Sequence, residues 1–179
     1  MEVIQIIFVV ETNKNTKSDD RYVSKLISQL YDLSKNDVQF QYVHMGTKYR
    51  YNKPSVLKEI KEYINQNKNG INHVVYCFDT DRIDNNRVQV EALKTYENFC
   101  IQKGFHFVWF CYDIETVFLG HSVPDNEKEK ESRVFFRKKF ELEKSFKLRL
   151  SKNKYDIKSN RSSNILTVLS ELYNFTKDL

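Results

Sequence analysis

Residues 73–78, His73-Val74-Val75-Tyr76-Cys77-Phe78, form an apolar run that stops at Asp79-Thr80-Asp81. Side chains of a strand repeat every two residues, so Asp79 and Asp81 can both face one small volume beyond the carboxyl end of a buried strand. Two like charges that close repel each other, and a hard cation such as Mg2+ or Mn2+ relieves the repulsion. Taken alone, an Asp-x-Asp pair serves more often as an Asx-rich turn capping the next helix than as a metal site. The segments around it therefore decide its meaning.

Working outward, residues 3–10 make a second near-continuous apolar run, with Gln5 its only polar member, and it stops at Glu11. Runs of this kind suit strands covered on both faces. Two more strands are predicted, at 38–44, where Val38, Phe40, Tyr42 and His44 alternate, and at 105–111, which leads into Tyr112-Asp113-Ile114-Glu115. Helical patterns separate them. Ser18-Asp19-Asp20 offers an N-cap and first-turn acids to a helix over 18–33, whose Val23, Leu26, Ile27, Leu30 and Leu33 fall on one stripe. Pro54 opens a second helix that ends at Asn69-Gly70, and a third follows a polar loop through Asn86 and closes before Gly104. A short helix is expected at 115–120, an exposed charged tract at 125–132, one long helix at 133–150, and a last helix at 163–175.

Alternation of strand and helix implies parallel pairing with right-handed crossovers. The expected fold is α/β: a Rossmann-like sheet of about four mainly parallel strands with helices on both faces, plus a C-terminal helical extension. Residues 1–124 would form the core, and residues 125–179 a basic extension packed on it. In such sheets the functional crevice lies at the carboxyl ends of the strands. Glu11, Asp79, Asp81 and Glu115 all fall at or just past such ends. With only 4 Gly in the chain, neither a P-loop nor a dinucleotide fingerprint is available.

At 179 residues the chain suits one globular domain, and its 13 Phe and 11 Tyr supply a core despite a charged fraction of 30%. No stretch approaches the ~20 apolar residues of a membrane span, and the first residues carry no charged leader with a cleavage site. Cys77, Cys100 and Cys111 show no metal-ligand spacing and read as buried thiols of a reduced compartment, so a cytoplasmic protein with no membrane partner is expected. The net charge of +5 is uneven: residues 132–161 hold eleven Lys or Arg against three Asp or Glu, which leaves the rest net negative. A basic segment beside an acidic site suits a polyanion held near bound cations, although a solvated helical face has the same composition.

Four stretches carry a family resemblance: VVETNKNTKSDDRYV near the start, CFDTDRIDNN, FCYDIETVFLGH, and NKYDIKSN towards the end. Together they resemble a Toprim domain, which places a glutamate after its first strand and an Asp-x-Asp pair after its third. More narrowly they are similar to RloB-like proteins, the Toprim-type partners found in bacterial anti-phage and abortive-infection loci. Thr12 stands where that family usually has a glycine, and the proline usual before the Glu115 motif is absent. The resemblance implies a Mg2+- or Mn2+-dependent nuclease that cleaves nucleic-acid phosphodiesters in anti-phage defence, working with an ATPase encoded nearby. Asp79 and Asp81 would hold the metal, Glu11 would be a further ligand or general base, and Glu115 would be the family's additional acid. His121, at the family-like interval, would donate to a leaving oxygen or a phosphate, or else cap its own helix.

Two basic clusters are candidate nucleic-acid contacts. Lys154, Tyr155, Lys158 and Arg161 could neutralise backbone phosphates and stack an unpaired base, with plain packing of Tyr155 as the alternative. Lys48 and Arg50, interleaved with Tyr49 and Tyr51, form a shorter cluster in the loop after the second strand. The competing reading of the whole chain is a non-catalytic module that binds nucleic acid or a partner. A homo-oligomer is compatible with either, since an isologous contact leaves no mark in one chain.

Overall fold

The computed structural model describes residues 3–32, 37–81, 87–155 and 161–173. Four strands, β1 (Ile4–Val10), β2 (Val38–His44), β3 (Ile71–Asp79) and β4 (His106–Phe110), form one sheet in the order β2-β1-β3-β4. All three pairings are parallel, with Ile6 opposite both Phe40 and His73, and Cys77 opposite Val108. The fold is therefore the expected Rossmann-like α/β arrangement. After β2 the chain returns past β1 to build β3 on its other side. The switch point thus lies between β1 and β3, where an α/β sheet opens a crevice at its carboxyl edge.

The sheet has two apolar faces because its central strands alternate between two sets of helices. Ile6, Phe8 and Val10 of β1, with Val75, Cys77, Val108 and Phe110, face α1 (Ser18–Leu30) and α4 (Ile114–Leu119). Ile7 and Val9, with Val74, Tyr76 and Phe78, face α2 (Pro54–Gln66) and α3 (Arg87–Lys103) through Val56, Ile60, Tyr96 and Cys100. Side chains this fully buried contribute roughly 2 kcal/mol each, which makes β1 the spine of the domain. Cys77, Cys100 and Cys111 are all buried, as the sequence suggests.

Residues beyond 124 complete the first face. Phe135 of α5 (Lys128–Arg137) meets the Tyr22 ring at 5.0 Å, and Arg21 Nη1 donates to Ser132 Oγ at 2.9 Å. Phe146 and Leu150 of α6 (Lys144–Leu150), and Ile165, Leu166 and Leu169 of α7 (Ile165–Leu172), join the same core. The single long helix expected over 133–150 is in fact two. Lys138 turns extended at φ −71° and ψ 152°, and Phe140 then packs against Phe118, Phe135 and Phe146. Burying that ring outweighs the helical propensity of the charged residues around it. The charged tract at 125–132, expected to be exposed, is exposed at 125–127 and 130 and from Lys128 onward supplies the start of α5, with Ser132 buried. Among the described residues, no helix is long and apolar enough to cross a membrane.

Candidate active site at the carboxyl edge

The carboxyl ends of β1 and β3 are tied together by a site residue. Glu11, the first residue past β1, accepts at Oε1 from the Asp79 backbone N–H at 2.8 Å. Asp79, the last residue of β3, accepts in turn at Oδ1 from the Ile114 N–H at 3.0 Å, so its carboxylate is held at the start of α4. Asp113 caps that helix, its Oδ1 accepting from the Thr116 N–H at 2.7 Å, and the first turn brings Glu115 inward, 1% exposed.

A left-handed clasp fixes the arrangement. The Thr80 N–H donates to Phe110 O at 3.0 Å and the Asp81 N–H to Tyr112 O at 2.7 Å, while the Tyr112 N–H returns to Thr80 Oγ1 at 3.0 Å. Asp81 at φ 51° and Tyr112 at φ 66° both lie in the region that L-residues avoid, and for a bulky tyrosine that conformation is strained. The clasp reverses the chain immediately after Asp79, so Asp79 and Asp81 do not share one face as an extended strand would place them. Asp81 is half exposed and ion-paired to Lys48, whose Nζ also donates to Asp79 O at 3.0 Å.

In place of Asp81 the structure brings in Asp19. This buried acid of the first turn of α1 accepts at Oδ2 from the Thr12 N–H at 3.2 Å. Glu11, Asp19, Asp79 and Glu115 all line one open cleft of about 530 Å³, together with Thr12, Asp125 and Lys128. Nothing in the sequence separates Asp19 from an ordinary first-turn acid complementing a helix dipole. Its neighbour Ser18 is buried as well, so this end of α1 points into the protein. A second cleft of about 320 Å³, around Lys14, Glu59 and Tyr63, carries only surface ion pairs.

Electrostatics separates this cluster from ordinary surface acids. Glu11 and Asp79 keep some exposed surface as residues, but their carboxyl groups are largely withdrawn from water. Burial pushes the Glu11 carboxyl up from 4.5 to about 8, against the opposing pull of Lys48 and the Asp79 N–H. Asp19 rises from 3.8 to about 7, through burial and then the charge of Glu115. Asp79 is raised well above the usual carboxylate range by burial, then by Glu11, Asp19 and Glu115. Glu115 is also raised by burial, with Lys128 opposing.

Lys128, from the start of α5, is the second cation of the site. Its Nζ lies 3.3 Å from Glu115, 3.4 Å from Asp113 and 3.6 Å from Asp125. Burial works against its charge, but Glu115, Asp113 and Asp79 outweigh that and hold the ammonium protonated. Compared with family models, with curated proteins and with solved structures, the chain matches none.

The remaining candidates fall elsewhere. His121 is exposed, and its Nδ1 sits 3.2 Å from Ser122 O, outside the cleft lining. Lys48 is buried against Asp79 and Asp81 and so is committed to the site rather than offered to a phosphate. Arg50 is exposed beside Gly46. Tyr155 packs edge-on against Trp109 at 5.3 Å, the packing alternative rather than a stacking platform. Lys154 and Arg161 are exposed, and Lys158 lies outside the described residues.

The donors of this cleft are all oxygens, the kind that Mg2+ and Mn2+ take. Thr12 Oγ1, buried beside it, has no hydrogen-bond partner among the described residues, nor does the hydroxyl of fully buried Tyr22, on which the charges of Glu115, Asp19 and Asp113 act. Among the described residues, no three His, Cys, Asp or Glu side chains already stand in a coordinating arrangement. The ammonium groups of Lys48 and Lys128 are the counter-charges present. The chemistry of the donors fits a hard divalent cation, with Glu11, Asp79, Asp19 and Glu115 as the residues that would hold it.

Proposed function

We propose that this protein is a divalent-cation-dependent phosphodiester hydrolase of the Toprim, RloB-like type, a nuclease of bacterial anti-phage defence that works with an ATPase. The observation that carries the reading is the convergence of Glu11, Asp19, Asp79 and Glu115 at the β1–β3 switch point, with burial raising all four and neighbouring carboxylates adding to it. Four carboxyl groups that burial discourages from ionising would be relieved by a bound cation, which favours their charged form.

Bound Mg2+ or Mn2+ would neutralise the phosphate and stabilise the charge that develops on its oxygens. The protein's own groups do the rest. Glu11, whose carboxyl burial raises to about 8, would be a further ligand of the cation or, once its charge is favoured there, the base that takes the proton from an attacking water. Asp79 is oriented by the Ile114 N–H and Glu115 by the short helix that Asp113 caps. Lys128 lies where it can pair with a phosphate oxygen as its carboxylate partners turn to the cation.

The test is cleavage of RNA and DNA oligomers by the purified protein with Mg2+ or Mn2+, set against Asp79→Asn. Loss of cleavage in the variant supports the assignment, and equal cleavage by both refutes it. The non-catalytic reading is favoured by one observation: Lys48 and Lys128 already neutralise Asp81 and Glu115. Titration with Mn2+ separates the two readings, because a module stabilised by its lysines would show no binding that depends on Asp79.

A further inference from the structure

On the basis of that reading, we infer that Arg149 and Arg161 form a paired grip for a backbone phosphate of the nucleic-acid substrate, at the far end of the helix that carries Glu115. Three independent features converge on this pair.

The first is placement. Arg161 stands against Gly120: a Cβ there would lie in ordinary contact with its guanidinium, 3.5 Å from Nη1 and 3.9 Å from Cζ. Gly120 ends α4, five residues after Glu115, a rise of about 7.5 Å along the helix. Arg149 is brought to the same place by its backbone: the Ser163 N–H donates to Arg149 O at 2.9 Å, two residues past Arg161. Phe146 of the same helix α6 touches Phe118 of α4 at 5.7 Å between ring centroids.

The second is fixation. The Arg149 guanidinium lies over the Phe146 ring, 4.7 Å from its centroid, which holds a long side chain in one orientation. Arg161 sits at φ 65°, a left-handed conformation that costs an arginine about 1 kcal/mol and that nothing in its local sequence demands.

The third is charge. Neither guanidinium has a carboxylate partner among the described residues, and burial and then the charge of nearby Arg161 disfavour the charged form of Arg149. Residues 144–155 supply Lys144, Lys147, Lys152 and Lys154 around them and no acid at all. Two like charges held together without a counter-ion form a ready seat for an anion, and a planar guanidinium matches phosphate oxygens in pairs. From here a strand would run along α4 to the acidic cleft.

The test is binding of fluorescein-labelled single-stranded DNA and RNA oligomers to the full chain in EDTA, read by anisotropy over a range of salt. Arg149→Gln/Arg161→Gln should bind about tenfold or more weakly, and its log K against log[salt] should be shallower by about 1.4, the loss of two single-strand phosphate contacts. Arg149→Lys/Arg161→Lys should keep the salt slope and recover part of the affinity, while Lys58→Gln on α2 should bind like wild type. Unchanged affinity and slope in the glutamine variant, with circular dichroism showing it folded, would overturn the grip. So would full displacement of the oligomer by millimolar inorganic phosphate, which would make this a site for the free anion. If the grip behaves as expected but Asp79→Asn cleaves like wild type, the nuclease reading fails and the grip stands; Asp79-dependent cleavage with no effect of the arginines leaves the reverse.

Discussion

The two edges of the sheet solve the problem of buried polarity in opposite ways. At the amino edge, around Gln5, the polar groups are neutral amides that satisfy one another, and the part-buried Asp37 accepts from the Tyr173 hydroxyl at 2.7 Å. Gln5 Nε2 donates to Tyr63 O at 3.0 Å and to Asn72 Oδ1 at 2.7 Å, Asn67 Nδ2 donates to Val3 O at 3.1 Å, and Asn72 Nδ2 donates to Asn67 O at 3.0 Å. At the carboxyl edge four carboxyl groups crowd one cleft, two residues are held in a left-handed backbone, and Lys48 and Lys128 are ion-paired to the acids there. Satisfied amides stabilise a fold at every pH. Crowded carboxyls oppose it as they ionise, so their retention points to a task other than stability.

Asp79→Asn should separate the edges most sharply. The amide keeps an oxygen to accept from the Ile114 N–H but removes a charge that burial, Glu11 and Asp19 all disfavour. Cleavage should fall by roughly a hundredfold or more. Melting in EDTA at alkaline pH should move upward, by roughly 2–4 °C for each kcal/mol of relief. A drop in melting temperature instead would mean that the carboxyl edge is built for stability, as the amino edge is.

A pH series comes next in size. The folded-state values of Glu11 and Asp19 are raised, from 4.5 to about 8 and from 3.8 to about 7. Between the ordinary and raised values the native state binds more protons than the unfolded chain, so this contribution is fully present below the ordinary values, is lost progressively as pH rises from there, and is gone once pH has passed about 7 for Asp19 and about 8 for Glu11. Urea denaturation in EDTA should therefore show stability falling across that window, by an amount on the order of several kcal/mol. Saturating Mn2+ should flatten the fall. A metal-free stability that rises over the same range would contradict the raised values.

How much of this was legible in the sequence follows from the range of the forces involved. The strands and the first three helices are local: apolar runs ending at Glu11 and Asp79, and stripes opened by Ser18 and Pro54, specify them without distant partners. Glu11, Asp79 and Glu115 were readable because strand ends in a parallel sheet share one edge. Asp19 was not, because its role depends on α1 approaching the β1–β3 crevice from outside. Nor was Lys128, whose partners Asp113 and Glu115 are brought to it only by packing of α5 on α1 and α4. The ion pair of Lys48 was hidden for the same reason, since its short-range context is a polar loop and its partner Asp81 lies 33 residues away. The break between α5 and α6 carries no Gly or Pro and comes from Phe140 finding a pocket of other rings.

Gly70→Ala probes the amino edge in its own terms. A Cβ there would fall 2.2 Å from Val3 O and 2.6 Å from the Asn67 amide, so backbone must move and the amide network must open. The expected loss is about 1–3 kcal/mol, seen as a lower urea midpoint at constant slope, with cleavage by the folded protein unchanged. An equal loss of activity would mean that the two edges are coupled through β1 and β3.

Asp113 gives the finest distinction, because it stands at the carboxyl edge but performs an amino-edge task. Its Oδ1 caps α4 at Thr116, while its Oδ2 lies 3.4 Å from Lys128. Asn caps as well as Asp, so Asp113→Asn should leave stability within a few tenths of a kcal/mol, whereas Asp113→Ala should lose about 1 kcal/mol of it. If the ion pair with Lys128 mattered more than the cap, the two variants would be destabilised alike. The comparison is measurable by urea midpoints, and it decides whether Glu115 is positioned by a helix cap or by charge.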